Sequence, residues 1–364
     1  MKRRFAGTVA GLLAAVLFFP VPSGAISARS AVVMDPISGR LLVNQNGSEE
    51  SLIASTTKIM TALLVCERCN VLDQMRIPKE AVGIEGSSMY LREGEKLSIQ
   101  ELLYGLMLSS GNDAAVALAL YCCGSIEEFS ALMNDKARSL GMKQTHFENP
   151  NGLDAKNHYS TAKDLAILAS YAMDNPVFRQ TVSTKTIAVG NRYLRNHNKL
   201  LWLYPGADGV KTGYTKAAGR ILVSSAVKDH RRLVAVTIHD PDDWRDHCKL
   251  LDDSFSGFNL QRIVTMGDCV GYREIAGGTP ARVSVLAADN YVYSIAKDES
   301  PQLLLPGSGF VYAPVTEGAD AGFAYVLISG KAVGKIPVVY GQTCEMLQPE
   351  EEKSSRFLFW RKNK

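Results

Sequence analysis

Near residue 258 the apolar pattern of this chain changes its period, and no other feature of the sequence limits the fold as much. Before that point apolar residues recur several times at helical spacing, between runs rich in β-branched residues. Beyond it, from about 262 to 347, only short apolar runs remain, such as Arg282 to Leu286, Tyr291 to Ile295, Phe323 to Ser329 and Val333 to Tyr340, broken up by Gly, Pro and Asp. Runs of this kind bounded by turn residues read as strands. The 364 residues are 46% hydrophobic, enough for two cores on ordinary domain sizes. The expectation is a larger α/β (α+β) domain over residues 26–258 and a second, smaller all-β domain over 259–348.

Within the first domain, Ala31 to Met34 and Arg40 to Val43 flank Asp35-Pro36-Ile37-Ser38-Gly39, whose Pro and Gly favour a turn, so the domain opens on a hairpin. From Ser55 to Arg68 the residues Ile59, Met60, Leu63 and Val65 fall at helical spacing, with Ser55 placed to cap the helix start. Three further helix starts pair a hydroxyl with a carboxylate three residues on, an arrangement that satisfies orphan backbone donors reciprocally. These are Ser98 with Glu101, Ser125 with Glu128, and Thr161 with Asp164; Gly141 is placed to stop the second of the three helices. Arg220 to Val227 and Leu233 to His239 enclose a polar turn and read as another hairpin, and Asp242 to Phe255 is helical in pattern.

The ends and the charge balance bound the setting. Lys2, Arg3 and Arg4 precede an apolar run from Val9 to Phe19 and the small residues Ser23, Gly24 and Ala25, so residues 1–25 read as a signal peptide of an exported protein. The run is short for a membrane span of roughly 20 residues. Losing that segment takes the basic count from 40 to 37, equal to the 37 acidic residues, and a neutral chain gives no electrostatic reason to bind nucleic acid. Residues 349–364 end in Phe357-Leu358-Phe359-Trp360-Arg361-Lys362, a short basic and aromatic tail that suits weak contact with an anionic membrane surface or plain disorder. Seven cysteines leave at least one thiol free or paired with another chain. Cys66 and Cys69 form C-x-x-C at the end of a helical pattern, with no second pair at zinc spacing, so no metal is expected.

Three short motifs carry the chemistry. In Ser55-Thr56-Thr57-Lys58 the i to i+3 spacing brings the lysine within reach of the hydroxyl. A serine hydroxyl needs an adjacent base to become a nucleophile, and a lysine becomes one when burial or neighbouring cations lower its pKa. S-x-x-K alone occurs by chance and otherwise reads as a capped helix with a solvated lysine. Ser110-Gly111-Asn112 follows at a helix-to-loop junction, and Lys211-Thr212-Gly213 follows at a strand entry. S-x-x-K, S-D-N and K-T-G, in that order, are the signature set of class A β-lactamases and penicillin-binding proteins. Here Gly111 holds the middle place of the second.

In these motifs, and in Asn149-Pro150-Asn151-Gly152-Leu153-Asp154, His158-Tyr159-Ser160-Thr161-Ala162 and Asp208 to Thr215, the chain resembles the D-alanyl-D-alanine carboxypeptidases of the low-molecular-mass penicillin-binding family. The resemblance covers most of residues 27 to 258 and, more loosely, the β-rich segment. It implies an antiparallel sheet flanked by helices (β-lactamase/transpeptidase-like), with a small β domain behind, and a peptidoglycan stem peptide as substrate, β-lactams as covalent inhibitors and no cofactor. It implies Ser55, Lys58, Ser110 and Asn112 as catalytic residues. Ser55 and Tyr214 would offer backbone N–H groups to the oxyanion, Ser110 would relay a proton, and Asn112 would hold Lys58 and the substrate amide. Lys211 and Thr212 would read a terminal carboxylate, Gly213 would leave room for the substrate backbone at the strand edge, and His197, near where some relatives carry arginine, would line the pocket. His158 reads as structural, and Glu148 and Asp154 as loop carboxylates.

Three alternatives share the fold. A serine β-lactamase needs rapid deacylation, but Glu148-Asn149-Pro150-Asn151 lacks the class A E-x-x-x-N spacing. A non-catalytic wall-binding or sensor protein has no use for an activated nucleophile. A D,D-endopeptidase uses the same residues and differs in pocket access.

Overall fold

The computed structural model describes residues 26–307 and 310–348. The segments read as a signal peptide and as a basic, aromatic tail lie outside the described residues.

Five antiparallel strands form the central sheet, in the spatial order Leu41–Gln45, Ser30–Met34, Arg231–Ile238, Gly219–Lys228 and Ala207–Thr215. The hairpin expected at the start is present, and the hairpin near residue 230 turns on Asp229 and His230, both with positive φ. Strand Ser30–Met34 is buried at every position. Its side chains alternate between two cores: Val32 and Met34 join Val234, Val236 and Ile238 on one face, while Ala31 and Val33 join Leu233 and Ala235 on the other. A strand between two layers has to be apolar throughout, because its period of two serves both faces.

Among the described residues eight α-helices accompany this sheet: α1 (Lys58–Arg68), α2 (Ile99–Leu108), α3 (Asn112–Cys123), α4 (Ile126–Ser139), α5 (Ala162–Ala172), α6 (Pro176–Ser183), the single turn α7 (Leu200–Leu203) and α8 (Asp243–Gly257). Residues of α1 to α6 build the larger core. On the opposite face α8 contributes Leu250 and Leu251, and its buried positions, Asp243, Asp246, His247, Leu250, Leu251 and Ser254, fall on one helical stripe. His247 locks α8 to the sheet through Ser224 at 2.7 Å and Thr237 at 2.9 Å.

Of the three reciprocal caps expected, one forms in full, and at Ser125 and Thr161 the carboxylate half is missing. The reciprocal box forms at Ser98 and Glu101. Ser125 and Thr161 accept the expected backbone N–H, but the Asp164 carboxylate turns instead to the Gln144 N–H and the Thr145 hydroxyl. A tertiary partner has won over the local one.

After α8 ends at Gly257, all regular structure among the described residues is β. Six strands order as Pro301–Leu304, Asp320–Ile328, Lys331–Tyr340, Arg282–Ala287, Cys269–Ala276 and Val311–Tyr312, around a separate core that includes Val264, Val285, Val326 and Val338. This part is tied to the sheet domain by charged groups. Arg40 pairs with Glu299 through two 2.6 Å bonds, and buried Asp35 accepts from Arg231 at 2.9 Å and from Ser294 at 2.6 Å.

Candidate active site

Ser55 does not cap a helix as expected. It lies inside a 3-10 turn, Ala54–Thr57, that runs straight into α1, and no side chain caps either element. The turn is held from outside. Ala54 has φ +44°, a left-handed backbone that side chains with a Cβ resist. Gly152, itself at φ +86°, packs so closely on the Ala54 carbonyl that a Cβ there would overlap it and stand 2.9 Å from Thr57 Oγ1. The loop around Asn149 to Asp154 is thus the brace behind the turn that carries Ser55.

Lys58 is the first residue of α1 and fully buried. Its Nζ lies 3.0 Å from Ser55 Oγ, 2.7 Å from Asn112 Oδ1 and 2.5 Å from the Asn151 carbonyl. Burial drives its pKa well down, the nearby charge of Lys211 adds to the fall, and Asp113 opposes it. A neutral amine has two N–H donors and one lone pair. Two of its neighbours, Asn112 Oδ1 and the Asn151 carbonyl, accept only, so they take both donors and leave the lone pair for the Ser55 hydroxyl.

The Ser110-Gly111-Asn112 turn joins α2 to α3, with Ser110 at φ +61°. Gly111 is needed for close packing, since a Cβ would lie 2.7 Å from Asp113 Oδ1 and 3.3 Å from the Met89 nitrogen. Buried Asp113 accepts from the Ser88 hydroxyl at 2.5 Å and from the Met89 and Leu91 N–H groups, both at 3.1 Å. It fixes the segment that forms one lip of the cleft.

Lys211, Thr212 and Gly213 lie within the edge strand Ala207–Thr215, not at a strand entry. Lys211 is buried, donates to the Thr212 carbonyl at 3.0 Å, and has its pKa pushed down to about 7 by burial. Gly213 makes room for the protein's own backbone: a Cβ would stand 3.2 Å from the Ile53 carbonyl and 3.3 Å from the Thr56 nitrogen. The glycine lets the turn bearing Ser55 approach the strand closely.

A cleft of about 600 Å³ opens between these elements, lined by Ser55, Ser110, Thr212, Gly213, Tyr214 and His197. Partial burial and Lys211 lower the pKa of His197. The same cleft is lined by residues that the sequence reading passed over, namely Ser87, Lys199, Arg220 and Trp244. Arg220 pairs with Asp243 at 2.6 Å and lies 5.8 Å from the Trp244 ring centroid. Strand start and helix start meet here only through the fold, and no local pattern signals it. His158 is structural, as read: its Nδ1 accepts from the Glu148 N–H at 3.1 Å, its Nε2 lies 2.7 Å from Thr57 Oγ1, and burial lowers its pKa to about 4. Glu148 bonds Asn157 at 3.2 Å and Asp154 bonds Thr215 at 3.2 Å, and neither lines the cleft.

A serine with a desolvated lysine beside it, at the edge of an antiparallel sheet flanked by helices, defines a penicillin-binding serine peptidase. The chain belongs to the D-alanyl-D-alanine carboxypeptidase family, whose model matches residues 19–242. Among its relatives, D-alanyl-D-alanine carboxypeptidase DacF of Bacillus subtilis (strain 168) is 32% identical over 332 residues, 85% of this chain and 84% of the relative. Penicillin binding protein 5 from Haemophilus influenzae superposes with a TM-score of 0.78 at 28% identity, over 90% of this chain and all of that one. A mutant of the Streptomyces K15 DD-transpeptidase matches with a TM-score of 0.62 at 31% identity, over 64% of this chain and 100% of that chain.

Proposed function

We propose that the protein is a serine-type D-Ala-D-Ala carboxypeptidase that removes the terminal D-alanine from peptidoglycan stem pentapeptides through an acyl-Ser55 intermediate. The observation that carries this is the buried Lys58 amine, with both N–H groups engaged and Ser55 Oγ at 3.0 Å.

Lys58 takes the hydroxyl proton as Ser55 Oγ attacks the carbonyl of the penultimate D-alanine. Backbone N–H groups of Ser55 and Tyr214 receive the developing oxyanion. The C–N bond breaks, the amine of the departing D-alanine takes a proton relayed through Ser110, and water then hydrolyses the ester. Asn112 holds Lys58 and the substrate amide, while Lys211 and Thr212 receive the terminal carboxylate beside His197. A β-lactam presents the same carboxylate and a strained amide, so it acylates Ser55. Asp243 is the one carboxylate among the described residues lining the cleft, and Arg220 holds it at 2.6 Å, which leaves no free base for fast deacylation of the β-lactam ester. This favours the carboxypeptidase over the β-lactamase.

The reading includes export directed by residues 1–25, a catalytic domain over 26–258, a β domain over 259–348 and weak membrane contact by the tail. Incubation with a D-Ala-D-Ala pentapeptide and, separately, with labelled penicillin tests it by mass spectrometry. Release of one D-alanine and a label on the Ser55 peptide are expected; no release, or a label elsewhere, overturns it.

A further inference from the structure

Two carboxylates outside the catalytic constellation meet where strand Arg231–Ile238 gives way to α8. Asp240 follows the strand and is fully buried, and Asp246, in the first turn of α8, is 2% exposed. Ser27 lies between them. Its Oγ is 2.8 Å from Asp240 Oδ1 and 2.7 Å from Asp246 Oδ2, and its backbone N–H donates to Asp246 Oδ2 at 2.6 Å. A hydroxyl has one proton to give, so it serves one of the two carboxylates at a time. The other oxygen of Asp240, Oδ2, is buried and forms no hydrogen bond among the described residues. The Thr237 hydroxyl lies close enough to favour the charge of Asp240, but it bonds His247 at 2.9 Å.

The cations nearby are committed elsewhere. Asp240 forms no ion pair among the described residues. Asp246 meets only the exposed Arg245, at 3.7 Å, and that arginine stands closer to Asp242, at 3.0 Å. A cavity of about 390 Å³ is lined by Asp240, Ser27, Arg29, Arg220 and His239, but Glu49 holds Arg29 and Asp243 holds Arg220. Burial, with the charge of Asp246 added, raises the pKa of Asp240 against the hydrogen bonds that lower it. A buried acidic pair is costly unless a cation with N–H donors joins it.

The chain itself can supply that cation. Residues 1–25 read as a signal peptide whose small residues end at Ala25. Hydrolysis there by a signal peptidase adds water across the Ala25–Ile26 amide and leaves a carboxylate on Ala25 and an α-ammonium on Ile26. Before the cut that nitrogen is a neutral amide with one N–H; after it, it carries a charge and three donors. The Ile26 side chain packs on the core that holds Ala28, Leu250 and Leu251, so the new end is seated. Consecutive α-carbons are only about 3.8 Å apart, which places the ammonium beside the pair that Ser27 already touches.

We propose that Asp240 and Asp246 form a docking site for the α-ammonium that signal-peptide removal creates on Ile26, so that maturation of the chain fixes the start of α8. The effect reaches the cleft through the backbone. The Asp240 N–H donates to the Arg220 carbonyl at 3.0 Å, and Asp240 Oδ1 accepts from the Asp242 N–H at 3.1 Å. Asp242 leads into α8, whose Asp243 and Trp244 line the catalytic cleft with Arg220. The inference rests on the signal-peptide reading of residues 1–25 and is independent of the acyl-serine chemistry.

The test begins with the full chain exported by a bacterial host and recovered outside the cytoplasm. Intact-mass spectrometry should find Ile26 as the first residue, and any other first residue overturns the cut and the docking site with it. The mature protein is then compared with a chain carrying an additional Ile-Gly ahead of Ile26, which keeps the terminal residue type but moves the amine away from the pair. At pH 7 the terminal amine of the mature protein should be acetylated at least about tenfold more slowly, since one unit of pKa is a factor of ten in free amine. Asp240→Asn in the mature protein should restore the fast rate. Equal rates in the mature and extended chains overturn the docking site and leave the cut standing. The extended chain should also melt several degrees below the mature one, and Asp240→Asn should remove most of that difference. A difference that persists in Asp240→Asn assigns it to packing and overturns the docking site.

Discussion

Asn112 accepts a hydrogen bond from Lys58 Nζ at 2.7 Å while its own amide nitrogen donates to the Glu85 carbonyl at 2.5 Å. The second bond fixes the amide so that only its oxygen can face the lysine. An oxygen there takes an N–H and keeps the amine lone pair free for Ser55.

Asn112→Asp turns this relationship into a test. The carboxylate would favour the ammonium form of Lys58 and lose the Glu85 bond. Acylation by labelled penicillin at pH 7 should fall by about 10²-fold or more, within the range for losing a general base. The acid limb of the rate profile should move to higher pH. A profile unmoved by the substitution would show that Asn112 does not control the lysine.

The two buried lysines give opposite limbs of a pH profile. On the proposed mechanism Lys58 acts as the neutral base, so activity should fall as pH drops and it protonates, and its depressed pKa keeps that limb below the ordinary lysine range. On the same mechanism Lys211 acts as the cation, and in the free enzyme its charge is lost as pH rises through about 7. The pair is coupled by charge, so the two macroscopic values belong to both. A bell-shaped kcat/KM is expected on peptides ending in a free carboxylate. Lys211→Arg, which stays charged, should raise the alkaline limb; the same limb in the variant would assign it to another group.

How much of this was legible follows from what a side chain can announce. Strand Ser30–Met34 was readable as an apolar run ended by a Pro- and Gly-containing turn, and α8 was readable because its buried positions repeat at helical spacing. The proximity of Ser55, Lys58 and Asn112 was readable because the motifs that carry them are recognised by residue type in a fixed order. The 3-10 turn at Ser55 was not, since four residues are too few to separate three per turn from 3.6. The Asn151 carbonyl was not, because every residue carries one. Arg220, Asp243 and Trp244 needed the hairpin and α8 to bring them together, and the close approach of the Ser55 turn to Gly213 needed the fold as well.

Lys211 also carries a stability cost. Its pKa falls from the ordinary lysine value of 10.5 to about 7 on folding, so the unfolded chain binds the proton more tightly between those values. The penalty is absent well above pH 10, grows as pH falls, and is complete below about 7. Lys211→Met, close in length and without the charge, should therefore raise Tm at pH 6 by several degrees, at roughly 2–4 °C per kcal/mol for a domain of this size. The gain should fade toward pH 10, and activity should be lost. A gain independent of pH would point to packing instead of charge.

The brace behind the Ser55 turn makes the sharpest mutational contrast. Gly152 and Gly141 both have left-handed backbone, at φ +86° and +75°. A Cβ at Gly141 meets nothing within 4 Å, whereas at Gly152 it overlaps the Ala54 carbonyl. Gly141→Ala should cost only the backbone strain, roughly 1–2 kcal/mol, and leave penicillin labelling intact. Gly152→Ala adds a steric conflict that only a shift of the Ala54–Thr57 turn can relieve, and that shift carries Ser55 away from Lys58. Denaturant unfolding should show the larger loss for Gly152→Ala. At a temperature where both variants remain folded, its acylation rate should fall at least about tenfold while that of Gly141→Ala holds. Equal labelling rates in the two variants would mean that the loop is packing alone and does not position the nucleophile.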